Sequence, residues 1–155
     1  VADEPVSMID VSMRLSILNL MSDFNKNDGI SFVYITHDLA TARYIAQCGR
    51  IVVMYLGEIV EEGKIDEVLQ DPRHPYTQAL IAAVPTPDPK IAKKARKIPI
   101  KSMDLGSLEN RPEGCVFYDR CPYACEKCKE KIDYEMVGTR RVKCCRLDEV
   151  PKWNH

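Results

Sequence analysis

The chain has 155 residues, of which 45% are apolar and 29% are charged, and its formal net charge is −1. This composition is globular, and it excludes collagen-like, coiled-coil and disordered proteins. The balanced charge argues against a nucleic-acid partner, and no apolar run reaches the roughly 18 residues that a membrane-spanning helix needs. Because the sequence opens on Val1 without a charged-then-apolar leader, we expect it to be an interior piece of a longer protein.

The first part of the chain alternates strand and helix signals. Apolar residues recur at steps of three and four where we predict helices, whereas β-branched and aromatic runs mark the strands. The predicted elements are, in chain order, a short strand at Val1–Ala2, a helix over Val11–Phe24 with Asp10 as its N-cap, a buried strand over Ile30–Ile35, a second helix from Asp38 to about Gln47, and a hairpin of Arg50–Tyr55 and Glu58–Glu62 joined at Leu56-Gly57. This order predicts an α/β fold with a largely parallel sheet.

The second part is less regular. Short helices are predicted over Asp66–Gln70 and Thr77–Val84, followed by a stiff linker at Pro85–Pro89. The segment Lys90–Lys101 carries six basic residues and no acidic one, which predicts either a solvated linker or a contact with an anionic partner surface. We therefore divide the chain into residues 1–70 and 71–155.

The cysteines indicate a metal or cluster site. Six of the seven lie between Cys115 and Cys145, and only Cys48 stands apart. The odd count favours ligation of zinc or an iron–sulfur cluster over a disulfide framework. Only one Cys-x2-Cys pair occurs, Cys125 to Cys128, so the pattern of a zinc ribbon is incomplete. Reduced cysteines that simply pack a small core are the alternative.

Polar residues follow the first two predicted strands. Asp3 and Glu4 leave the first strand on opposite sides, so one carboxylate can hold a hydrated magnesium ion while the other orients an attacking water. His37 follows the second strand, at the edge of a sheet where ligands collect, and is placed to touch a phosphate. Each feature alone also suits an ordinary surface turn or a structural histidine.

The order and spacing of these residues resemble the second half of an ATPase subunit of an ABC transporter. Asp3-Glu4 matches the end of Walker B with its catalytic glutamate, and Ser7-Met8-Ile9-Asp10 matches the D-loop. His37 matches the switch histidine, and Met54–Gly63 matches the hairpin that follows it. The resemblance implies that residues 1–70 are the C-terminal part of a RecA-like P-loop ATPase sheet with helices.

The remainder resembles the oligopeptide and dipeptide importers within that family. The run from Asp71 to Leu80 contains their His-Pro-Tyr signature, and the later cysteines are similar to their C-terminal cysteine region. The resemblance implies a small irregular extension that holds an iron–sulfur cluster, [4Fe–4S], with Zn²⁺ as the alternative. By position, the implied metal ligands are Cys115, Cys121, Cys128 and Cys144. Cys125 and Cys145 fall outside the pattern.

For the parent protein, the resemblance implies hydrolysis of ATP with Mg²⁺ to drive peptide import. Glu4 and His37 are the implied catalytic residues. Asp3 and Asp10 are the implied cofactor-binding residues, and Asp10 also contacts the opposite active site. The implied partners are a second ATPase subunit, transmembrane permease subunits and, indirectly, a substrate-binding protein. The implied location is peripheral, at the cytoplasmic face of the cell membrane.

The 155 residues contain no Gly-x4-Gly-Lys-Ser/Thr loop and no signature motif. Since that loop cradles the phosphates, we expect the chain alone to be inactive, and we expect it to form oligomers through exposed strand edges and helix faces. Two alternatives stay open. One is the ATPase subunit of a related nickel or sugar importer, and the other is a metal-binding interaction module with no ATPase role.

Overall fold

A computed structural model describes residues 1–47, 49–84, 98–104 and 112–153. The chain forms two compact units, Val1–Gly49 and Arg50–His155. The predicted linker at Pro85–Pro89, most of the basic segment 90–101 and Cys48 lie outside the described residues. The boundary between the two compact units follows Gly49, whereas the predicted functional division follows residue 70. The functional division stays a prediction.

The first unit contains a pair of short parallel strands and two helices. Ala2 pairs with Tyr34 and Asp3 with Ile35, and the Glu4 amide donates to the Ile35 carbonyl at 2.9 Å. The carboxyl ends of both strands therefore meet at one edge. The elements are β1 (Ala2–Asp3), α1 (Val11–Asp28), β2 (Tyr34–Ile35) and α2 (Leu39–Ile45).

Both helices begin where the sequence predicts, because an aspartate caps each one. The Asp10 carboxylate accepts from the amides of Ser12 and Met13 at 3.0 and 3.1 Å, and Asp38 accepts from the amide of Ala40 at 2.8 Å. Helix α1 runs four residues past its predicted end and stops at Gly29, whose φ of 67° is left-handed. Local capping rules thus locate the starts of these helices better than their ends.

The prediction of a buried strand over Ile30–Ile35 is wrong in extent and in burial. Only Tyr34 and Ile35 pair, and Ile30, Val33 and Ile35 are 45%, 62% and 48% exposed. The physical reason is that β1 supplies just a two-residue ladder: the Val33 carbonyl still accepts from the Ala2 amide at 2.8 Å, but no described strand pairs with residues 30–33.

The second unit is built on the predicted hairpin. Its four strands are antiparallel in the order β3-β4-β6-β5, so the prediction of a largely parallel sheet holds only for the pair β1 and β2. Strands β5 and β6 were not expected from the sequence. The elements are β3 (Arg50–Tyr55), β4 (Glu58–Lys64), α3 (Ile65–Gln70), α4 (Pro75–Ala82), β5 (Glu135–Val137) and β6 (Arg140–Val142), with 3₁₀ turns at Tyr118–Arg120 and Glu126–Lys129. The fold mixes helices with small sheets.

The cysteine-rich residues pack on this hairpin around one aromatic side chain. Phe117 is 1% exposed, and its ring centroid lies 5.3 Å from that of Tyr55 and 5.5 Å from that of Tyr76. Edge-to-face pairs of this kind add to the free energy gained by burial. The hairpin, helix α4 and the cysteine-rich region therefore share a single core.

Candidate functional site

The predicted Glu4 and His37 come together at the carboxyl ends of β1 and β2. His37 Nδ1 lies 2.5 Å from Glu4 Oε1, although 33 positions separate the residues in the chain. Glu4 adopts a φ of 42°, which is unusual for a residue other than glycine. Its carbonyl accepts from the Ser7 amide and hydroxyl at 3.2 and 3.0 Å, which holds the turn closed. The side chains of His37 and Glu4 remain 78% and 42% exposed.

Asp3 and Asp10 have different surroundings. Asp3 is exposed at the end of β1, beside the Glu4–His37 pair in sequence. Asp10 caps α1, and hydrogen bonds from the Ser12 hydroxyl and the Met13 amide lower the pKa of its carboxyl. Asp10 is thus held ionised at the N-terminus of a helix, where its negative charge is stabilised by the helix dipole.

The four cysteines implied as metal ligands lie in one buried region. Cys115, Cys121, Cys128 and Cys144 are each 5 to 9% exposed. Burial raises the pKa of Cys115 and Cys121 to about 11 and that of Cys128 and Cys144 to about 12, and the proximity of neighbouring thiols adds to these shifts. These thiols are neutral until a cation stabilises the thiolates.

No three cysteine, histidine, aspartate or glutamate side chains within the described ranges stand in a metal-ligating arrangement. The prediction of [4Fe–4S] or Zn²⁺ is therefore not confirmed. The donor chemistry nevertheless fits such a group, since the four thiols are buried and neighbouring cysteines add to the rise in the pKa of Cys115, Cys121 and Cys144.

The two cysteines outside the predicted pattern make the close sulfur contacts. Cys128 Sγ lies 3.8 Å from Cys125 Sγ and 3.6 Å from Cys145 Sγ. Both partners are partly exposed, whereas Cys128 is buried. Cys128 and Cys145 are 17 positions apart in the chain, and no pattern in the sequence predicts their contact.

A buried polar network surrounds Glu61, and the sequence does not predict it. The Glu61 carboxylate is fully buried and accepts from the amides of Arg73 and His74 at 3.0 and 2.9 Å, and Arg140 lies 3.9 Å away. Burial raises the pKa of Glu61 and lowers the pKa of His74 to about 3. Nothing in the sequence distinguishes Glu61 from the next glutamate along β4, because the burial and the hydrogen bonds of Glu61 depend on residues from other parts of the chain.

This network gives the His-Pro-Tyr residues a structural role. His74 Nδ1 accepts from the Tyr76 amide at 3.1 Å and caps α4, with Pro75 at the first helical position. The Tyr76 ring then lies 4.6 Å from that of Tyr55. The signature therefore fixes the start of α4 against the hairpin rather than forming an exposed site.

None of the helices that the structure describes is sufficiently long and apolar to cross a membrane.

Comparison with known proteins finds relatives whose alignments extend over both units. Residues 60–128 match the family model of the oligopeptide/dipeptide transporter, C-terminal region. The chain is 45% identical over 150 residues to the oligopeptide transport ATP-binding protein OppF of Salmonella typhimurium, and 42% identical over 149 residues to OppF of Escherichia coli. It is also 44% identical over 146 residues to the probable peptide ABC transporter ATP-binding protein y4tS of Sinorhizobium fredii.

These alignments cover 96%, 96% and 93% of this chain, but only 44%, 44% and 40% of the three relatives. The chain thus spans less than half the length of the curated relatives it matches. The match covers nearly all of the chain, so it includes His37 and the cysteine-rich residues. Over nearly all of its length the chain is therefore similar to a C-terminal portion of ATP-binding proteins of oligopeptide transport, and residues 60–128 match the C-terminal region of the oligopeptide/dipeptide transporter family.

Proposed function

We propose that the chain is the C-terminal part of an ATP-hydrolysing subunit that powers the import of oligopeptides or dipeptides. The observation that carries this proposal is the 2.5 Å contact between Glu4 and His37 at the carboxyl ends of two parallel strands. A carboxylate and an imidazole at this edge suit a reaction at a phosphate group. The names of the relatives support the same activity.

The four polar residues take separate roles in this proposal. Glu4 polarises the attacking water, and Asp3 holds Mg²⁺ through its water shell. His37 contacts the γ-phosphate, and its hydrogen bond to Glu4 aligns the two groups before ATP arrives. Asp10, ionised at the start of α1, couples the site to a second subunit. The chemistry consists mainly of positioning and charge stabilisation.

A chimera tests the role of Glu4. The 155 residues replace the corresponding region of the Salmonella relative, so that the phosphate-binding segments come from that protein. Glu4→Gln removes the negative charge with little change in shape, and we expect it to lower ATP turnover about 100-fold or more, while ATP binding persists. Turnover is measured as phosphate release, and binding by calorimetry.

Glu130→Gln is the matched control, because Glu130 is an exposed carboxylate of the second unit. It should leave turnover unchanged. Equal turnover in the chimera and its Glu4→Gln variant would refute the catalytic role of Glu4.

The chain by itself should neither bind ATP tightly nor hydrolyse it, since it lacks the glycine-rich loop whose amides cradle the phosphates. Calorimetry with ATP and Mg²⁺ should show no binding in the micromolar range. A micromolar dissociation constant for the isolated 155 residues would contradict this proposal.

We further propose that Cys115, Cys121, Cys128 and Cys144 hold a structural [4Fe–4S] cluster, with Zn²⁺ as the alternative occupant. The supporting observation is that all four thiols are buried in the cysteine-rich region, and that neighbouring cysteines add to the rise in the pKa of Cys121 and Cys144. A bound metal would supply folding free energy to a region with few apolar residues of its own. Iron, acid-labile sulfide and the visible spectrum of anaerobically purified protein test the assignment. Zinc without colour would favour the alternative.

The proposed partners follow from the same family. They are a second ATPase subunit, transmembrane permease subunits and, through them, a substrate-binding protein, which would place the parent at the cytoplasmic face of the membrane as a peripheral subunit. The relatives named here are peptide transporters, and this favours peptides over nickel or sugars as cargo. The Glu4–His37 pair favours an ATPase over a metal-binding interaction module.

A further inference from the structure

One cationic side chain on α1 bridges two loops of the first unit. The first loop comprises residues 7–10, and the second loop comprises residues 36–38. Arg14 Nη2 donates to the Ile9 carbonyl of the first loop at 3.3 Å, and Arg14 Nη1 lies 3.9 Å from Asp38 Oδ2 in the second loop. The guanidinium group presents several donors in a planar fork, so it contacts both loops at once.

These loops carry two of the proposed site residues. Asp10 ends the first loop, and its proposed role is to couple the site to a second subunit. His37 lies in the middle of the second loop, and its proposed role is contact with the γ-phosphate. A contact between the loops therefore connects the residue that meets the second subunit with the residue that meets the nucleotide.

Hydroxyl groups fix the shape of the second loop. The Asp38 amide donates to Thr36 Oγ1 at 3.0 Å, and the Thr41 hydroxyl donates to the Asp38 carbonyl at 2.9 Å. The carboxylate of Asp38 caps α2 through Oδ1, which leaves Oδ2 directed toward Arg14. Because the backbone of Asp38 is held on both sides, a displacement of Asp38 moves His37 with it.

The surroundings of Arg14 strengthen its contacts. The side chains of Arg14 and Asp38 are 31% and 39% exposed, and the Arg14 Nε atom is buried. A fully exposed ion pair contributes little, whereas a partly buried hydrogen bond from a charged donor contributes more. The Tyr44 hydroxyl also donates to the Asn19 side chain farther along the two helices. We therefore expect α1 and α2 to stay paired when Arg14 is replaced.

We propose, on the basis of the function proposed above, that Arg14 is a positioning residue that couples the loop at the second subunit to the loop that presents His37. A displacement of the first loop on docking of the second subunit is passed through the guanidinium group to Asp38, and so to His37. Arg14 acts through the Ile9 carbonyl and the Asp38 carboxylate, not by contact with the nucleotide.

The first test uses the 155-residue chain without nucleotide and follows the ring-proton resonances of its three histidines by NMR. Arg14→Gln should shift the His37 resonance and leave that of His74, in the second unit, unchanged. Asp38→Asn removes the charge but keeps a capping side chain, and in this background Arg14→Gln should no longer shift His37. Lys26→Gln is the matched control, because it removes a cation from the last turn of α1, and it should shift neither resonance.

This readout does not depend on ATPase activity. An unshifted His37 resonance in Arg14→Gln would overturn the proposal, and so would a shift of the same size in both backgrounds.

The second test measures ATP turnover in the chimera with the Salmonella relative. Arg14→Gln should lower kcat about tenfold and leave KM for ATP unchanged, because it removes a charged hydrogen bond outside the nucleotide contacts. Asp38→Asn should lower kcat to a similar extent, and the double variant should be no slower than either single variant. Arg14→Lys keeps the charge and should restore part of the turnover, whereas Lys26→Gln should not change it.

Multiplied losses in the double variant would mean that Arg14 and Asp38 act independently, which contradicts the coupling. A raised KM with an unchanged kcat contradicts it as well, since that result indicates a role in binding ATP. Turnover that survives Glu4→Gln would refute the proposed function itself. Normal turnover in Arg14→Gln beside an inactive Glu4→Gln chimera would refute only the role of Arg14.

Discussion

His74 shows how burial changes the chemistry of one residue. Its ring is 1% exposed, and burial lowers the pKa of the imidazole from 6.5 to about 3. The Nδ1 atom accepts a hydrogen bond from the Tyr76 amide. Because a protonated Nδ1 cannot accept, the native state needs the neutral ring. A histidine in this environment stabilises the fold through its uncharged form.

The stability of the chain should therefore depend on pH through His74. Because the folded-state pKa is lower than the unfolded one, the unfolded chain binds the proton first as pH falls. The contribution of His74 is complete above pH 6.5 and is lost as pH falls toward 3, at up to about 1.4 kcal/mol per pH unit. Urea unfolding at several pH values measures this loss.

His74→Asn is the matched variant, because asparagine also caps helices but does not titrate. The difference in the free energy of unfolding between the wild-type chain and this variant should shift in favour of the variant as pH falls. Parallel pH profiles for the two proteins would mean that the ring of His74 titrates normally in the folded state.

Gly114 illustrates a close approach of two backbone segments. A Cβ atom there would lie 2.2 Å from the Cys128 carbonyl oxygen and 2.5 Å from the Lys129 carbonyl carbon. Gly114→Ala should therefore lower the free energy of unfolding by about 1–3 kcal/mol, because backbone atoms must move. Urea unfolding measures the change, and Glu113→Ala, at an exposed neighbouring residue, should have little effect.

At the scale of elements, the cysteine-rich region depends on strands that precede it by about 80 positions. In the β4–β6 ladder, Glu61 pairs with Val142 and Glu62 with Arg141, and the Lys143 amide donates to the Val60 carbonyl at 2.9 Å. Such non-local pairing explains why the sequence does not predict β5 and β6, because strands this short are stabilised by a partner sheet rather than by their own sequence.

Phe117 connects the cysteine-rich region to that hairpin, and its removal should release the region. Phe117→Ala should cost about 3–5 kcal/mol, because a fully buried ring leaves a cavity between two tyrosines. We expect faster alkylation of Cys115 and Cys121 as well as a lower urea midpoint. Phe24→Ala is the control, since Phe24 is 41% exposed on α1. Unchanged alkylation in Phe117→Ala would show that the cysteines are held without this core.

At the scale of the whole molecule, α1 leaves apolar side chains exposed on two opposite sides of the helix. Val11, Leu15, Leu20 and Phe24 are 74%, 51%, 53% and 41% exposed, whereas Leu18 and Met21 are buried. Exposed apolar surface of this kind promotes association in water. The sequence-based expectation of an oligomer stays a prediction, and these exposed side chains are the positions on α1 at which we expect association.

Light scattering of the isolated chain should therefore give a mass above 17.7 kDa. Replacing Leu15 and Leu20 with lysine should lower that mass, because charge on the helix opposes burial. The control replaces Ser16 and Asn27, two exposed polar residues of α1, with lysine. A monomer in the unmodified chain, or equal masses in both double variants, would contradict the prediction.

The sequence by itself determined the features that depend on short stretches of chain. Asp10 and Asp38 cap helices through amides two or three positions away, and Leu56-Gly57 turns a hairpin between its neighbours. The order of Asp3, Glu4, Asp10 and His37 also indicates the resemblance to ATPase subunits of ABC transporters, since that resemblance requires only residue types at their spacing.

Tertiary structure alone decided which distant groups meet. It placed His37 against Glu4, buried Glu61 where its carboxylate accepts from the His74 amide, and brought Cys145, which is not an implied ligand, into contact with Cys128. These contacts depend on how strands and turns pack, and packing energy is shared among many residues far apart in the chain. A sequence pattern of period two or 3.6 describes one element, so it carries no information about the residue that another element will supply.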